Sequence, residues 1–236
     1  MVATAENPQT VGTLEAVTFN TYRDIHKGIR AELFSVVTEA GRVDPGDRTV
    51  RTEFAGHVGR VVELLVAHAE HEDAHVQPVL EAELPHLAER VPAEHAALDA
   101  RLLDLRAIAD EAVNAPATEQ REQLYRIYIE LASFASAYLA HQDYEERVIM
   151  PALERAVGVD AVIGLHQTVL ANIPPDEMAH TLAVMLPAMN VDDRTDMLGA
   201  MRATAPEPVF TGVWGLAASV LTPADHAQLG ARLGIS

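Results

Sequence analysis

Apolar residues recur every three or four positions through the first two-thirds of the chain, which is the spacing of amphipathic helices. Short breaks, such as Gly41 and the GRVDPGD segment at 41–47, divide this pattern into four stretches. The predicted helices are A (about 13–40), B (about 48–83), C (about 92–114) and D (about 118–156). Four long helices with short connections predict an all-α fold built on an up-and-down four-helix bundle.

The pattern changes after Gly158, where shorter amphipathic pieces alternate with IPPDE, NVDD, APEP and LTPAD. Each of these breaks combines proline or an acidic residue with a helix-capping residue. We expect four or five short helices here. The predicted organisation is a bundle domain over 1–157, followed by a C-terminal helical extension over 158–236.

Composition supports this fold and excludes several functions. Apolar residues make up 49% of the chain and aromatic residues only 5%, which favours helices over strands. The net charge is −18 and the 17 basic residues are scattered, so neither nucleic acid nor an anionic membrane is an expected partner. The amino-terminal segment resembles no signal peptide, and no apolar run approaches the roughly 20 residues that span a bilayer. We expect a cytoplasmic protein.

Helices B and D contain an internal repeat. VAHAEHEDAHVQPVLE (66–81) and LAHQDYEERVIMPALE (139–154) align without a gap and share the pattern A-H-x3-E-x5-P-x-L-E. In each half an isolated histidine comes earlier, His26 before His68 and His95 before His141. The bundle therefore resembles a duplicated helical hairpin.

This repeat places metal-binding side chains on common helix faces. The chain has eleven histidines and no cysteine, so imidazole and carboxylate are the available metal anchors. Residues four apart lie on one face of a helix, so His68 with Glu72 and His141 with Glu145 each present a nitrogen and a carboxylate. A lone His-x3-Glu pair is more often an exposed ion pair, but two pairs in register favour a metal site.

Several neighbours have alternative roles. His75 is either a fifth nitrogen ligand or a polar residue lining the pocket, and Tyr22 is either a ligand or hydrogen-bond donor near His26 or a core tyrosine. Asp99 either orients His95 or is solvated. His57 lies about 16 Å along helix B from His68 and is excluded from the cluster. Pro78 and Pro151 are expected to kink helices B and D just beyond the ligands.

The order of these ligands resembles the hemerythrin-like, HHE cation-binding proteins. The matching stretches are DIHKGIRAEL, AHAEHEDAHVQPVL, AEHAALDARLL and AHQDYEERVIMPAL, within about residues 15–156. The resemblance implies a hemerythrin-like bundle with two iron ions joined by an oxo or hydroxo bridge, for which manganese or zinc could substitute. It implies terminal ligands His26, His68, His95 and His141, with Glu72 and Glu145 bridging. Classical oxygen carriers use five histidines and a mixed Glu/Asp pair, so this symmetric set favours redox chemistry or sensing.

Two functional hypotheses follow. The first is a non-haem di-iron protein that binds or reacts with dioxygen, peroxide or nitric oxide, as an oxidoreductase, a carrier or a sensor. The second is an iron, metal or oxygen sensor that acts without turnover through a protein partner of residues 158–236. A zinc hydrolase is disfavoured, because six ligands with two carboxylates suit a pair of redox metals better than one catalytic zinc.

Overall fold

The computed structural model describes residues 14–235, and every regular element in that range is helical. The all-α prediction is therefore confirmed. No helix in the described range is long and apolar enough to cross a membrane. The helices are α1 (Arg23–Ala40), α2 (Arg48–His71), α3 (Gln77–Glu83), α4 (Arg90–Asn114), α5 (Gln120–Tyr144), α6 (Met150–Val157), α7 (Val159–Asn172), α8 (Pro175–Ala188), α9 (Val191–Thr204), α10 (Glu207–Val220) and α11 (Pro223–Leu233).

Predicted helix A begins later than its apolar pattern indicated. Residue 13 lies outside the described residues, and residues 14–22 are not helical. The Asn20 side chain accepts hydrogen bonds from the backbone N–H groups of Tyr22 and Arg23, which is how a short polar residue starts a helix. The backbone N–H groups of Thr18 and Phe19 donate instead to the Glu154 carboxylate at 2.9–3.1 Å. These contacts hold the segment across the end of helix D.

Predicted helices B and D are continuous, but each contains a π-helical turn. The turns span Glu72–Val76 and Glu145–Ile149, so each one begins at the glutamate of the repeat. Pro78 and Pro151 follow two residues after each turn. A proline has no N–H to donate and crowds the preceding turn, so a widened turn before it relieves the helix. A π turn therefore precedes each proline, and the kinks themselves stay a prediction.

Two apolar clusters lie along the bundle, one on each side of these turns. The larger cluster contains Phe54, Leu65, Phe134 and Tyr138. The smaller one follows the π turns and contains Tyr22 among others. Along α2 and α5 the histidines and glutamates of the repeat lie between the two clusters, so the polar layer is enclosed on both sides.

Helices α8–α11 have an apolar cluster of their own, centred on Leu186 and Leu198. The α7 residue Val162 instead packs into the smaller bundle cluster. Helix α8 lies against α1 at Gly28, where a Cβ atom would come 3.1 Å from Val184. Lys27 pairs with Asp193 beside this contact. The extension is therefore docked on the helix that carries His26.

Candidate metal centre

Six histidines and glutamates meet in the layer between the two clusters, and all but the partly buried His68 are fully buried. Their side chains are at most 9% exposed. They form two groups whose potential ligand atoms all lie within 4.8 Å of one another, and both groups contain Glu72 and Glu145. The first group adds His26 from α1 and His68 from α2, and the second adds His95 from α4 and His141 from α5.

Each glutamate divides its two oxygens between the groups. Glu72 Oε1 lies 3.1 Å from His68 Nε2, whereas its Oε2 lies 3.3 Å from His95 Nε2. Glu145 Oε2 lies 3.5 Å from His26 Nε2, and its Oε1 lies 3.1 Å from His141 Nε2. This is the arrangement by which carboxylates join two cations. The π turns place both glutamates in it, since each turn begins at one of them.

Three of the four histidines contact a carboxylate on another helix through Nδ1, the ring nitrogen that points away from the layer. His26 Nδ1 lies 2.9 Å from Glu146, His95 Nδ1 lies 2.8 Å from Asp73, and His141 Nδ1 lies 2.9 Å from Glu94. We call Glu146, Asp73 and Glu94 the outer carboxylates. An Nδ1–H that donates to a carboxylate leaves the Nε2 lone pair directed inward, and such contacts orient histidine ligands and raise their basicity.

The outer carboxylates were not among the residues predicted from the sequence, which left Asp99 as either in contact with His95 or solvated. Asp73 makes that contact in place of Asp99. The sequence does carry a signal, because Asp73 directly follows Glu72 and Glu146 directly follows Glu145 in the two copies of the repeat. These contacts join separate helices, so helical spacing within one helix could not reveal them.

The pKa values of the histidines differ according to their surroundings. Burial lowers the pKa of His68 to about 4, because only Glu72 opposes the loss of solvation. Burial also lowers the pKa of His95, but Glu72 and Asp73 outweigh it and raise the value to about 9. Among the outer carboxylates, burial raises the pKa of Glu146, while the hydrogen bonds from His26 and Arg30 outweigh burial and lower it to about 2. Glu146 is therefore a carboxylate at neutral pH.

Other predicted residues lie around the layer. His75 belongs to neither group, and its ring stacks on His71 with centroids 6.4 Å apart. Tyr22 is buried and stacks on His26 at 5.1 Å, so it is a core tyrosine that also faces the polar layer. Tyr138, which was not predicted as a site residue, is buried on the opposite side with its ring 5.8 Å from His141.

His57 lies outside the groups, as its spacing predicted. It contacts Glu39 at 2.5 Å through Nδ1 and Glu32 at 3.0 Å through Nε2, and so links α2 to α1. His71 also lies outside the groups and contacts Glu177 of α8 at 2.6 Å.

Unsatisfied buried atoms test whether the layer suits a cation. Nε2 of His26 and of His68, and all four carboxylate oxygens of Glu72 and Glu145, are buried, and their close contacts with one another lack the geometry of hydrogen bonds. Buried polar groups without partners are costly, and a buried carboxylate is the costliest of them. His95 Nε2 and His141 Nε2 lie only 3.0 Å apart, although both rings contact carboxylates through Nδ1. A cation in each group would satisfy these atoms together, so the residues fit metal binding.

Comparison with known proteins also indicates cation binding. The family described as the hemerythrin HHE cation binding domain matches residues 17–153, which include all six candidate ligands. No curated protein and no solved structure matches the chain. The matched region is more than half of the chain and runs from the segment before α1 into α6. With its buried His/Glu layer and this match, the chain belongs to the hemerythrin HHE cation-binding family.

Proposed function

We propose that the chain is a non-haem di-iron protein that binds or reacts with dioxygen, peroxide or nitric oxide. The proposed ligands are His26, His68, His95 and His141, with Glu72 and Glu145 as bridges. The observation that carries the proposal is the division of both glutamates between two histidine pairs, since shared carboxylates lower the repulsion between neighbouring cations.

The chemistry of such a centre depends on vacant coordination positions. Each group offers two imidazole nitrogens and one oxygen from each glutamate, which is four protein atoms for a metal that accepts more. Two irons held this way would supply electrons and adjacent open positions for a small oxygen or nitrogen species. Oxygen and nitrogen ligands without thiolate also accommodate manganese or zinc, which we expect to substitute.

The protein's own groups would control access and protons. Tyr22 and Tyr138 are buried beside the layer on opposite sides. Burial raises the pKa of both phenols well above 10, and the charges of Glu72 and Glu145 raise it further. Both hydroxyls therefore stay protonated at neutral pH. Each can donate a hydrogen bond to an oxygen species, while the surrounding apolar clusters exclude bulk water.

Metal content and absorption test this function. Protein purified from iron-replete cells, or reconstituted anaerobically, should contain two irons per chain and show absorption that changes with dioxygen, peroxide or nitric oxide. A reversible dioxygen adduct would indicate binding, and sustained peroxide consumption would indicate an enzyme. Fewer than one iron per chain after reconstitution would refute the proposal.

Matched variants distinguish the proposed ligands in the layer from histidines elsewhere in the bundle. His141→Ala and Glu145→Ala should abolish stoichiometric iron binding, because each removes a buried ligand. His57→Ala is the control, since His57 is also an interhelical histidine between carboxylates but lies outside both groups. Equal iron loss in all three would indicate general unfolding and contradict the assignment.

A second candidate is a metal or oxygen sensor that signals through residues 158–236 to a protein partner. One segment of α1 favours it, because His26 faces the layer while Lys27 pairs with Asp193 and Gly28 contacts α8. His71, beside the bridging Glu72, also contacts Glu177 of α8. Metal-dependent hydrogen-exchange protection of residues 159–235 without turnover would support the sensor. Identical protection with and without metal would refute it.

A further inference from the structure

The outer carboxylates follow the internal repeat only in part. In both copies the residue after the bridging glutamate contacts the isolated histidine of the other half. Asp73 contacts His95 at 2.8 Å and Glu146 contacts His26 at 2.9 Å. These two contacts are related by the pseudo-two-fold of the bundle.

The third contact has no counterpart in the other half. Glu94 directly precedes His95 and contacts His141 of the next helix at 2.9 Å. The corresponding residue before His26 is Ile25, which packs against the larger bundle cluster. Within residues 14–235, Glu72 is the only carboxylate at ion-pair distance from His68. His68 is thus the one candidate imidazole ligand without an outer carboxylate in that range.

The basic residues increase this difference. Arg30 contacts both oxygens of Glu146, at 2.8 and 3.2 Å, and so balances the only outer carboxylate of the His26/His68 group. In the other group Arg90 contacts Glu94 at 2.7 Å, while among the described residues the ion pair of Asp73 is with His95 alone. Counting these carboxylates and arginines, the His95/His141 group carries one more negative charge.

We propose that the two metal positions have unequal affinities, and that the His95/His141 position fills first. An anion behind an imidazole strengthens its donation to a metal, and an unbalanced negative charge nearby attracts a divalent cation. Glu94 is the positioning residue that creates the difference, and Ile25 is the place where the other half lacks it. This inference rests on the proposed two-metal site.

Anaerobic titration of the metal-free full-length protein with Co²⁺, followed by calorimetry and visible absorption, tests it. Two binding steps are expected, with dissociation constants that differ by at least about tenfold, since the loss of such an outer partner costs 10–100-fold in metal affinity. His26→Ala should retain the tight step and lose the weak one. His141→Ala should lose the tight step.

Two reciprocal variants test whether Glu94 causes the difference in metal affinity. Glu94→Gln should weaken the tight step by about 10–100-fold and leave the weak step in place, whereas Ile25→Glu should strengthen the weak step. Glu70→Gln is the control, because Glu70 is exposed two residues after His68 and contacts neither group. Circular dichroism verifies that each variant keeps its helices. Because Ile25→Glu adds a contact, it tests the inference even if Glu94→Gln does not fold.

Two equal steps in the unmodified protein would overturn the inference and leave the two-metal site standing. So would equal weakening of both steps by Glu94→Gln, or no effect of Ile25→Glu on the weak step. Saturation at one Co²⁺ per chain would instead overturn the two-metal site itself, so the two failures are distinguishable.

Discussion

Replacement of Gly28 by alanine probes the contact between the metal-binding bundle and the C-terminal extension. A Cβ atom on Gly28 would lie 3.1 Å from Val184 Cγ1 and 3.2 Å from the Cα atom of Met185. Carbon atoms in favourable contact are about 3.5–4.0 Å apart. One of the close atoms belongs to the α8 backbone, so a change of side-chain rotamer cannot relieve the crowding. Helix α8 would have to move.

The expected change in the free energy of unfolding of Gly28→Ala is the sum of two opposing effects. Alanine in place of a mid-helix glycine stabilises a protein by about 0.5–1 kcal/mol, while overpacking costs about 1–3 kcal/mol. Gly28→Ala should therefore lower the free energy of unfolding by up to about 2.5 kcal/mol. Gly59, also within a bundle helix, has no atom within 4 Å of its added Cβ. Gly59→Ala should show only the stabilisation.

Urea unfolding of the full chain, with equal metal content in each sample, measures both variants. Gly28→Ala should be less stable than Gly59→Ala by about 1–3 kcal/mol, which is the packing cost alone. Hydrogen exchange should locate the change at α8, with iron content unaltered. If both variants were stabilised equally, the close approach of α8 to α1 would be refuted.

Three further predictions concern the bundle. Leu65→Ala should lower the free energy of unfolding by about 2–5 kcal/mol, measured in urea, because Leu65 is 1% exposed in the larger cluster. Asp47→Ala should cost about 0.5–2 kcal/mol and reduce helicity, because the Asp47 carboxylate caps α2. The hydrogen bond to Glu32 raises the pKa of His57, and Glu39 adds to it. The stabilisation that protonated His57 provides should be complete below pH 6.5 and disappear as pH rises through the raised pKa. The urea midpoint should therefore fall over this pH range. His57→Asn should remove this pH dependence.

The bundle was predictable because its information is local and repeated. Helical spacing predicted the four long helices, and the duplicated His-x3-Glu pattern brought His68, Glu72, His141 and Glu145 to attention. The roles of His26 and His95 depended on their order along the chain and on family resemblance, since nothing in their own helices distinguishes them. The structure brings all six of these residues together in one layer.

What could not be predicted depends on contacts between distant segments. The apolar pattern of helix A continued through residues 14–22, but the distant Glu154 carboxylate of α6 accepts hydrogen bonds from the backbone N–H groups of Thr18 and Phe19. The docking of α8 on Gly28 is equally non-local. The pairing of Glu94 with His141 depends on the relative height of two helices, which helical spacing does not determine.

The π turns at Glu72 and Glu145 have a consequence for the evolution of the bundle. Each contains one more residue than an α-helical turn, so it shifts the rotational phase of everything that follows by about 100°. Leu80 and Leu153, which follow the two turns, pack in the smaller cluster in that shifted phase. A one-residue deletion in either turn would therefore rotate the apolar face that follows the turn out of alignment with the buried glutamate at which the turn begins. Insertions and deletions should be tolerated in the connections of this bundle and excluded from these ten residues.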